Sequence, residues 1–316
     1  MRPFLLHHPT NFDLGGIAYR VLIYFTQPLH MSSQPQLGWI GLGTMGNPMS
    51  RRLLEAGYPV AVYNRSKEKE EALRAAGATT ADSPAALVQQ ADVVFLMVSD
   101  DQAVRDLFTG PDGLLQAEAS GKLLINMSTV SPGISQEMAT LSQQKGHTYL
   151  DAPVSGSVKQ AETGQLVIMV GSDDPAFQQA QPLFEHLGKL ALHLGPIGSG
   201  NRAKLAINTL LGFYTQGLAE TLLFAQQHGL KLEDMQTIIA NGAMGNVYSK
   251  IKGEAIMGEN YQAAFALKHL AKDLRLAKAE GLNTPLGAVV HDTFQQAEPA
   301  LGEEDVIAII KHLQRD

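Results

Sequence analysis

A short apolar run, Leu37–Ile40, leads straight into Gly41-Leu42-Gly43-Thr44-Met45-Gly46 and then into a helical stretch reaching about Ala56. Three glycines at this spacing are common in isolation and restrictive between a strand and a helix. The first permits the tight turn, the second lets a pyrophosphate approach the backbone, and the third lets helix and strand pack closely. Gly57 then closes the helix in the expected C-terminal position. The pattern continues with strands expected at Pro59–Tyr63, Asp92–Val98, Leu123–Met127, Tyr149–Val154, Leu166–Gly171 and Leu190–Leu194. Asp92-Val-Val-Phe-Leu-Met-Val98 is nearly unbroken in its apolar character, as a strand covered on both faces must be. Strands alternating with helices imply right-handed crossovers and a parallel sheet. The fold class is therefore α/β, a Rossmann-type doubly wound parallel sheet followed by an all-α second domain.

The change of character falls near Gly195–Gly200. Beyond it the pattern is helical to the end, with breaks expected near Gly229, Gly242–Gly245, Gly258, Gly281–Pro285 and Pro299–Gly302. The helix from about Asn201 to His228 is long enough to leave one domain and enter the next. These features divide the chain into an N-terminal extension over 1–30, a dinucleotide-binding domain over 31–196 and a helical substrate and oligomerisation domain over 197–316. At 316 residues, two domains are the natural expectation. The first thirty residues look foreign to the rest. Their apolar block is too short to span a bilayer and is interrupted by Arg20, and no small-residue cleavage site follows. Met31 stands just before the first convincing strand, so it is expected to be the true start, or 1–30 a loosely attached extension.

Composition narrows the function. A formal net charge of −7 argues against a nucleic-acid partner. An anionic substrate would then be drawn in by local lysines, not by the overall field. With no cysteine, disulfides, thiolate chemistry and cysteine-ligated metals are excluded. The histidines are scattered apart from His7-His8, and no metal site is expected. No membrane partner is expected either, and the compartment is expected to be the cytoplasm.

The end of the second strand reads Asn64-Arg65-Ser66-Lys67, about twenty residues past the glycines. A site for NAD would carry a carboxylate there for the ribose 2′-hydroxyl, whereas an arginine accommodates a 2′-phosphate. This favours NADP over NAD. Further on, Gly195-Pro-Ile-Gly198-Ser-Gly200-Asn-Arg-Ala-Lys204-Leu-Ala-Ile-Asn208 runs a glycine-rich loop into the long helix. Lys204 and Asn208 stand four apart, on one face and one turn from each other. Small and apolar neighbours would desolvate Lys204, lower its pKa and make it a usable proton donor near neutrality. On spacing alone, a solvated surface lysine is the alternative.

Asp151-Ala-Pro-Val-Ser155-Gly156-Ser157-Val-Lys159-Gln-Ala161-Glu-Thr-Gly164-Gln-Leu166 adds a third segment, and Lys272-Asp273-Leu274 a fourth. Together with the glycine turn and the Gly195–Asn208 segment, in this order, they resemble the β-hydroxyacid dehydrogenase family. That family includes 3-hydroxyisobutyrate dehydrogenase, tartronate semialdehyde reductase and glyoxylate/succinic semialdehyde reductases. The resemblance covers essentially Leu37 to the C-terminus. It implies that Lys204 is the catalytic lysine and Asn208 its polar companion. It implies that Ser155, Gly156 and Ser157 hold the substrate carboxylate, and that Thr129 lies close to the nicotinamide and the substrate. Val98, Ser99 and Asp100 would border the cofactor after the fourth strand, and Lys272 would reach it from the second domain. Gly41, Leu42, Gly43, Thr44, Met45, Gly46, Asn64, Arg65 and Ser66 complete the implied cofactor site.

Many members of the family carry a second glycine after Ser-Gly and another before the alanine, where this chain has Ser157 and Gln160. That form, and Arg65, look more like the glyoxylate and succinic semialdehyde reductase branch. The expected function is an NADP-dependent oxidoreductase that interconverts a short hydroxy acid and its semialdehyde or oxo acid, with a homodimer or homotetramer as the expected assembly. The alternatives are an oxidative 3-hydroxyisobutyrate dehydrogenase and a non-catalytic NADP-binding interaction module. Retention of both Lys204 and Asn208 argues against the module. Imine reductases replace the lysine, and 6-phosphogluconate dehydrogenase would need a larger helical domain.

Overall fold

The computed structural model describes residues 34–314. The expected extension over 1–30 and the start at Met31 lie outside the described residues. The chain enters at β1 (Leu37–Ile40) and continues through α1 (Gly46–Glu55), β2 (Val60–Tyr63), α2 (Glu71–Ala75), β3 (Thr79–Thr80), α3 (Pro84–Gln90), β4 (Val93–Leu96), α4 (Asp101–Thr109), β5 (Leu123–Asn126), α5 (Pro132–Gln144) and β6 (Thr148–Asp151). These six strands form one parallel sheet in the order β3-β2-β1-β4-β5-β6. The order reverses between β1 and β4, the switch point at which doubly wound sheets bind ligands beyond the carboxyl ends of their strands.

The apolar runs are continuous because alternate residues leave opposite faces of the sheet, and both faces are covered. Leu37, Trp39, Val93, Phe95, Leu123 and Ile125 enter the core under α1 and α7, which is described below. Ile40, Val94, Leu96 and Leu124 enter the core under α3, α4 and α5. Trp39 stacks on Phe95 at 5.1 Å between ring centroids, holding β1 against β4 at the switch point. Gly57 adopts the left-handed conformation (φ 89°) just past α1, as its position predicts.

After β6 come β7 (Val154–Ser155), α6 (Val158–Glu162), β8 (Leu166–Val170), α7 (Asp174–Leu187) and β9 (Gly188–His193). The strand expected over Tyr149–Val154 is two strands in two sheets. Pro153 has no N–H to continue the ladder, and β7 pairs antiparallel with β8, which pairs parallel with β9. Asp151 belongs to both sheets, since its backbone also exchanges hydrogen bonds with Gly171.

The remainder is helical: α8 (Ser199–Gln227), α9 (Leu232–Asn241), α10 (Val247–Met257), α11 (Leu267–Ala279), α12 (Pro285–Leu301) and α13 (Ile309–Leu313). A separate core of Leu218, Leu222, Leu270, Leu274, Phe294 and Ile309, among others, holds these helices together. The expected breaks occur; in the last of them Pro299 still lies inside α12, which ends two residues later at Leu301 with Gly302 as its cap. In the last turn a proline removes a single backbone hydrogen bond, a cost that packing absorbs. No helix among the described residues is long and apolar enough to cross a membrane.

Candidate active site

The sequence-predicted residues of the α/β portion all lie on segments that leave the carboxyl edge of a strand. Gly41–Gly46 follow β1, Asn64–Ser66 follow β2, Val98 and Ser99 follow β4, Thr129 follows β5, and Ser155–Ser157 follow β6. In the turn after β1, a side chain at Gly41 would run into the Met97 carbonyl, and one at Gly46 into the Gly41 carbonyl. A side chain at Gly43 would meet nothing within 4 Å. Packing therefore explains the first and third glycines, while the second borders open space. The following α1 has no side-chain cap and no acid in its first turn, so its amide end is available to an anion. These residues fit a dinucleotide pyrophosphate.

At the end of β2, Asn64 Oδ1 accepts the Leu42 N–H at 2.9 Å and ties the glycine turn to the neighbouring strand. Glu70, which follows this corner, is buried and already engaged. It accepts the Asn64 N–H at 2.7 Å and pairs with Lys67 at 3.0 Å. Arg65, by contrast, is exposed. At the end of β2 the exposed Arg65 is what this corner offers a ribose.

The loops after β4 and β5 are fastened to one another. The Val98 N–H donates to Ser128 Oγ at 2.9 Å, and the Ser131 N–H to Asp101 at 2.8 Å. Asp100 caps α4 and accepts the Ser99 hydroxyl. Lys272, reaching over from α11, donates to the carbonyls of Ser99 (3.2 Å) and Thr129 and pairs with Asp273 at 3.1 Å. It acts here as a clasp between α11 and both loops.

Along α8 the inward face is a polar ladder: Asn201, Lys204, Asn208 and Thr215. Asn201 accepts the Val130 N–H at 3.0 Å and donates to Ser135 at 3.2 Å. Asn208 donates to the buried Asp273 of α11, and Thr215 bonds the Tyr248 hydroxyl of α10. Lys204 alone has no hydrogen-bond or ion-pair partner among the described residues. Burial pushes its ammonium pKa down, the nearby Lys272 charge pushes the same way, and Asp273 opposes both.

Ser155 ends β7, and Gly156 takes φ 143°, so only glycine is comfortable there. Ser157 is engaged locally: both its N–H (2.9 Å) and its hydroxyl (2.5 Å) donate to Gln160 Oε1, closing the start of α6. The two departures from the common glycine-rich form thus belong together as one capping pair. Hydrogen bonds and ion pairs gather Asn208, Asp273, Lys272, Thr129 and Ser99, and Lys204, one turn before Asn208 on α8, lies within charge range of Asp273 and Lys272. No hydrogen bond among the described residues joins Ser155–Ser157 to that group; they lie a few residues beyond Asp151, on the segment that follows β6. Asp273, quoted in the sequence only as part of a motif, and Asp151 are the residues whose parts the sequence left unread. The signal was present at Asp151, a carboxylate ending an otherwise apolar strand.

Comparison with known proteins agrees with this architecture. The NAD-binding domain of 6-phosphogluconate dehydrogenase matches residues 36–195. The NAD-binding domain of NADP-dependent 3-hydroxyisobutyrate dehydrogenase matches residues 198–313. Glyoxylate/succinic semialdehyde reductase 1 of Arabidopsis thaliana is 36% identical over 87% of this chain and 97% of its own length. The 2-(hydroxymethyl)glutarate dehydrogenase of Eubacterium barkeri is 35% identical over 89% of this chain and 95% of its own. A solved structure of Mycobacterium tuberculosis 3-hydroxyisobutyrate dehydrogenase with L-serine superposes with a TM-score of 0.80 at 29% identity, covering 90% of this chain and all of that one. The chain belongs to the β-hydroxyacid dehydrogenase family, oxidoreductases of the 3-hydroxyisobutyrate dehydrogenase type that use NAD(P).

Proposed function

We propose that this protein reduces a small carboxylated aldehyde, such as glyoxylate or succinic semialdehyde, with NADPH, and that Lys204 is the general acid. The observation that carries this reading is the polar ladder of α8, in which Lys204 is the one ionisable rung left without a partner while its pKa is lowered. The dinucleotide, when bound, supplies the hydride. Gly41–Gly46 and the open end of α1 would hold its pyrophosphate, Asn64, Arg65 and Ser66 its phosphorylated ribose, and Val98, Ser99 and Thr129 the nicotinamide side.

The remaining chemistry belongs to side chains of this protein. As the carbonyl carbon is reduced, negative charge grows on its oxygen, and the Lys204 ammonium stabilises that charge and donates the proton. Asn208, held rigidly by Asp273, orients the same oxygen or its neighbouring carboxylate. Ser155 and Gly156 would receive the substrate carboxylate, with Thr129 at its side. Ser157 supports them by fixing the start of α6. Lys272 keeps the cofactor loops closed over the cleft. In this reading residues 31–196 bind the cofactor, and residues 197–316 complete the substrate site and carry self-association.

The experiment is a panel of glyoxylate, succinic semialdehyde, other semialdehydes and 3-hydroxyisobutyrate, each assayed with NADPH or NADP and with NADH or NAD. Reduction of glyoxylate or succinic semialdehyde with NADPH is the expected outcome. Oxidation of 3-hydroxyisobutyrate as the fastest reaction would replace the proposal. Lys204→Ala is expected to lower kcat by roughly 10²- to 10⁴-fold with NADPH binding intact. Retained turnover would refute the mechanism, and dinucleotide binding without turnover on any substrate would point to the interaction module.

A further inference from the structure

Asp151 is fully buried, yet it makes no ion pair. Both of its carboxylate oxygens face the first turn of α8. Oδ1 accepts the Gly198 N–H at 2.6 Å; Oδ2 accepts the Asn201 N–H at 2.8 Å and the Asn201 side-chain amide at 3.4 Å. Gly198, the residue that would ordinarily cap this helix with a side chain, has none. The cap is instead supplied from 47 residues upstream in the chain, at the point where β6 passes from the large sheet to the small one. The seat is shaped for it. A side chain at Gly171 would strike Oδ1, and one at Gly200 would lie 2.9 Å from Oδ2.

Asn201 extends the connection. While its N–H rests on Asp151, its side-chain oxygen accepts the Val130 N–H, the residue next to Thr129. A single carboxylate thus fixes β6, the loop after β5 and the start of α8 relative to one another. Lys204 stands one turn further along α8. We infer that Asp151 is a positioning residue for Lys204: its ionised carboxylate docks the start of α8 onto the sheet and thereby sets where the ammonium sits relative to the Thr129 loop.

The docking is proton-sensitive. Burial pushes the Asp151 carboxyl up to about 6, against the opposing pull of the Gly198 and Asn201 N–H groups. Few charges face it. Tyr149 on the same strand is a buried phenol whose pKa burial raises, and it hydrogen-bonds Asn126. Asp101 of α4 lies within charge range of Tyr149. On α8 the charged residues nearby in the chain are Arg202, whose guanidinium lies beside Gly198 and pairs with Glu280, and Lys204; from α5 the hydroxyl of Ser135 meets Asn201. Below about pH 6 the protonated carboxyl would turn an O–H toward amide donors it now accepts from, and the dock would loosen.

This inference rests on the reductase reading, so its test includes a readout that needs no turnover. In the full-length Asp151→Asn protein, amide hydrogen exchange in the segment 196–204 is expected to accelerate at least about tenfold while the sheet is unchanged. With the best substrate of the panel at pH 7.5, kcat is expected to fall about 10- to 100-fold. KM and the NADPH Kd should stay within about threefold. The acid limb of kcat near pH 6 seen in the parent should vanish in the variant. Unaltered exchange, or kcat within twofold of the parent, overturns the inference, as does a parent profile with no acid limb near pH 6. Faster exchange in a protein whose parent turns over nothing on the panel upholds the dock and defeats the reductase reading alone. Should Asp151→Asn not fold, Asn201→Ala leaves Asp151 and its two main-chain bonds in place and cuts the link to Val130. Its kcat is expected to drop about 3- to 30-fold, and an unchanged kcat would again overturn the inference.

Discussion

A lysine that donates a proton in a cleft must be charged before the reaction and willing to give the charge up. Burial pushes Lys204 toward neutrality, Asp273 opposes that shift, and Lys272 adds to it. In the proposed mechanism reduction needs the ammonium, so its rate is lost as pH rises through the lowered lysine pKa, below the ordinary value of about 10.4. A kcat–pH profile for aldehyde reduction should show this alkaline limb. Lys204→Arg, which cannot deprotonate in this range, should retain only residual activity and lose the limb. At the other end of the cofactor site, Arg65 is exposed beside a Glu70 already engaged by Lys67 and the Asn64 N–H. A charge-assisted hydrogen bond contributes about 1.5–3 kcal/mol, so Arg65→Ala should raise the KM for NADPH roughly 10- to 100-fold. Steady-state kinetics with NADH should be nearly unaffected; equal loss with both cofactors would remove Arg65 from the 2′-phosphate role.

The element that most separates folding from binding is the turn between β1 and α1. Gly41 has φ 93° and faces the Met97 carbonyl, so Gly41→Ala meets both backbone strain and a clash. Thermal unfolding should show a loss of about 2–4 kcal/mol. Gly43 has neither constraint. Gly43→Ala should melt like the parent and bind NADPH at least about tenfold more weakly, by fluorescence titration. Loss of stability at both positions would mean that the second glycine is structural. This contrast could be foreseen from spacing because each glycine of the turn has its own task. The sheet strands were equally legible, since a segment covered on both faces has to be apolar throughout. The division of Tyr149–Val154 was not, because apolar character does not report which sheet a residue pairs with. Nor was the retention of Pro299 in α12, where packing outweighs one missing hydrogen bond.

At the scale of the molecule, the outward face of α8 carries large apolar side chains among its polar ones. Ile207, Leu210 and Phe224 are 46%, 60% and 63% exposed, and Ile238 of α9 and Val247 of α10 are exposed at 63% and 76%. Large apolar side chains left exposed on neighbouring helices are candidates for a contact surface. We propose that a second copy covers it, giving a homodimer or a tetramer built from dimers. Light scattering coupled to gel filtration should give at least twice the mass of 34.0 kDa for the chain. Leu210→Glu with Phe224→Glu should shift the species to monomer, while a monomeric parent would reject this interface.

Local chemistry by itself determined the strand–turn–helix start, the parallel doubly wound sheet, the long helix into an all-helical second part, and the four motifs that mark the family. Each depends on neighbours a few residues apart, where spacing and side-chain type suffice. Tertiary structure decided what those motifs do for one another. It buried Glu70 against Lys67, made Lys272 a clasp between two loops, engaged Asn208 with Asp273 and seated Asp151 under the start of α8. Apart from the local Glu70–Lys67 pair, three residues apart, those partners lie tens to more than a hundred residues apart. Only folding determines which buried polar groups meet a partner, and here it leaves Lys204 as the rung of α8 without one.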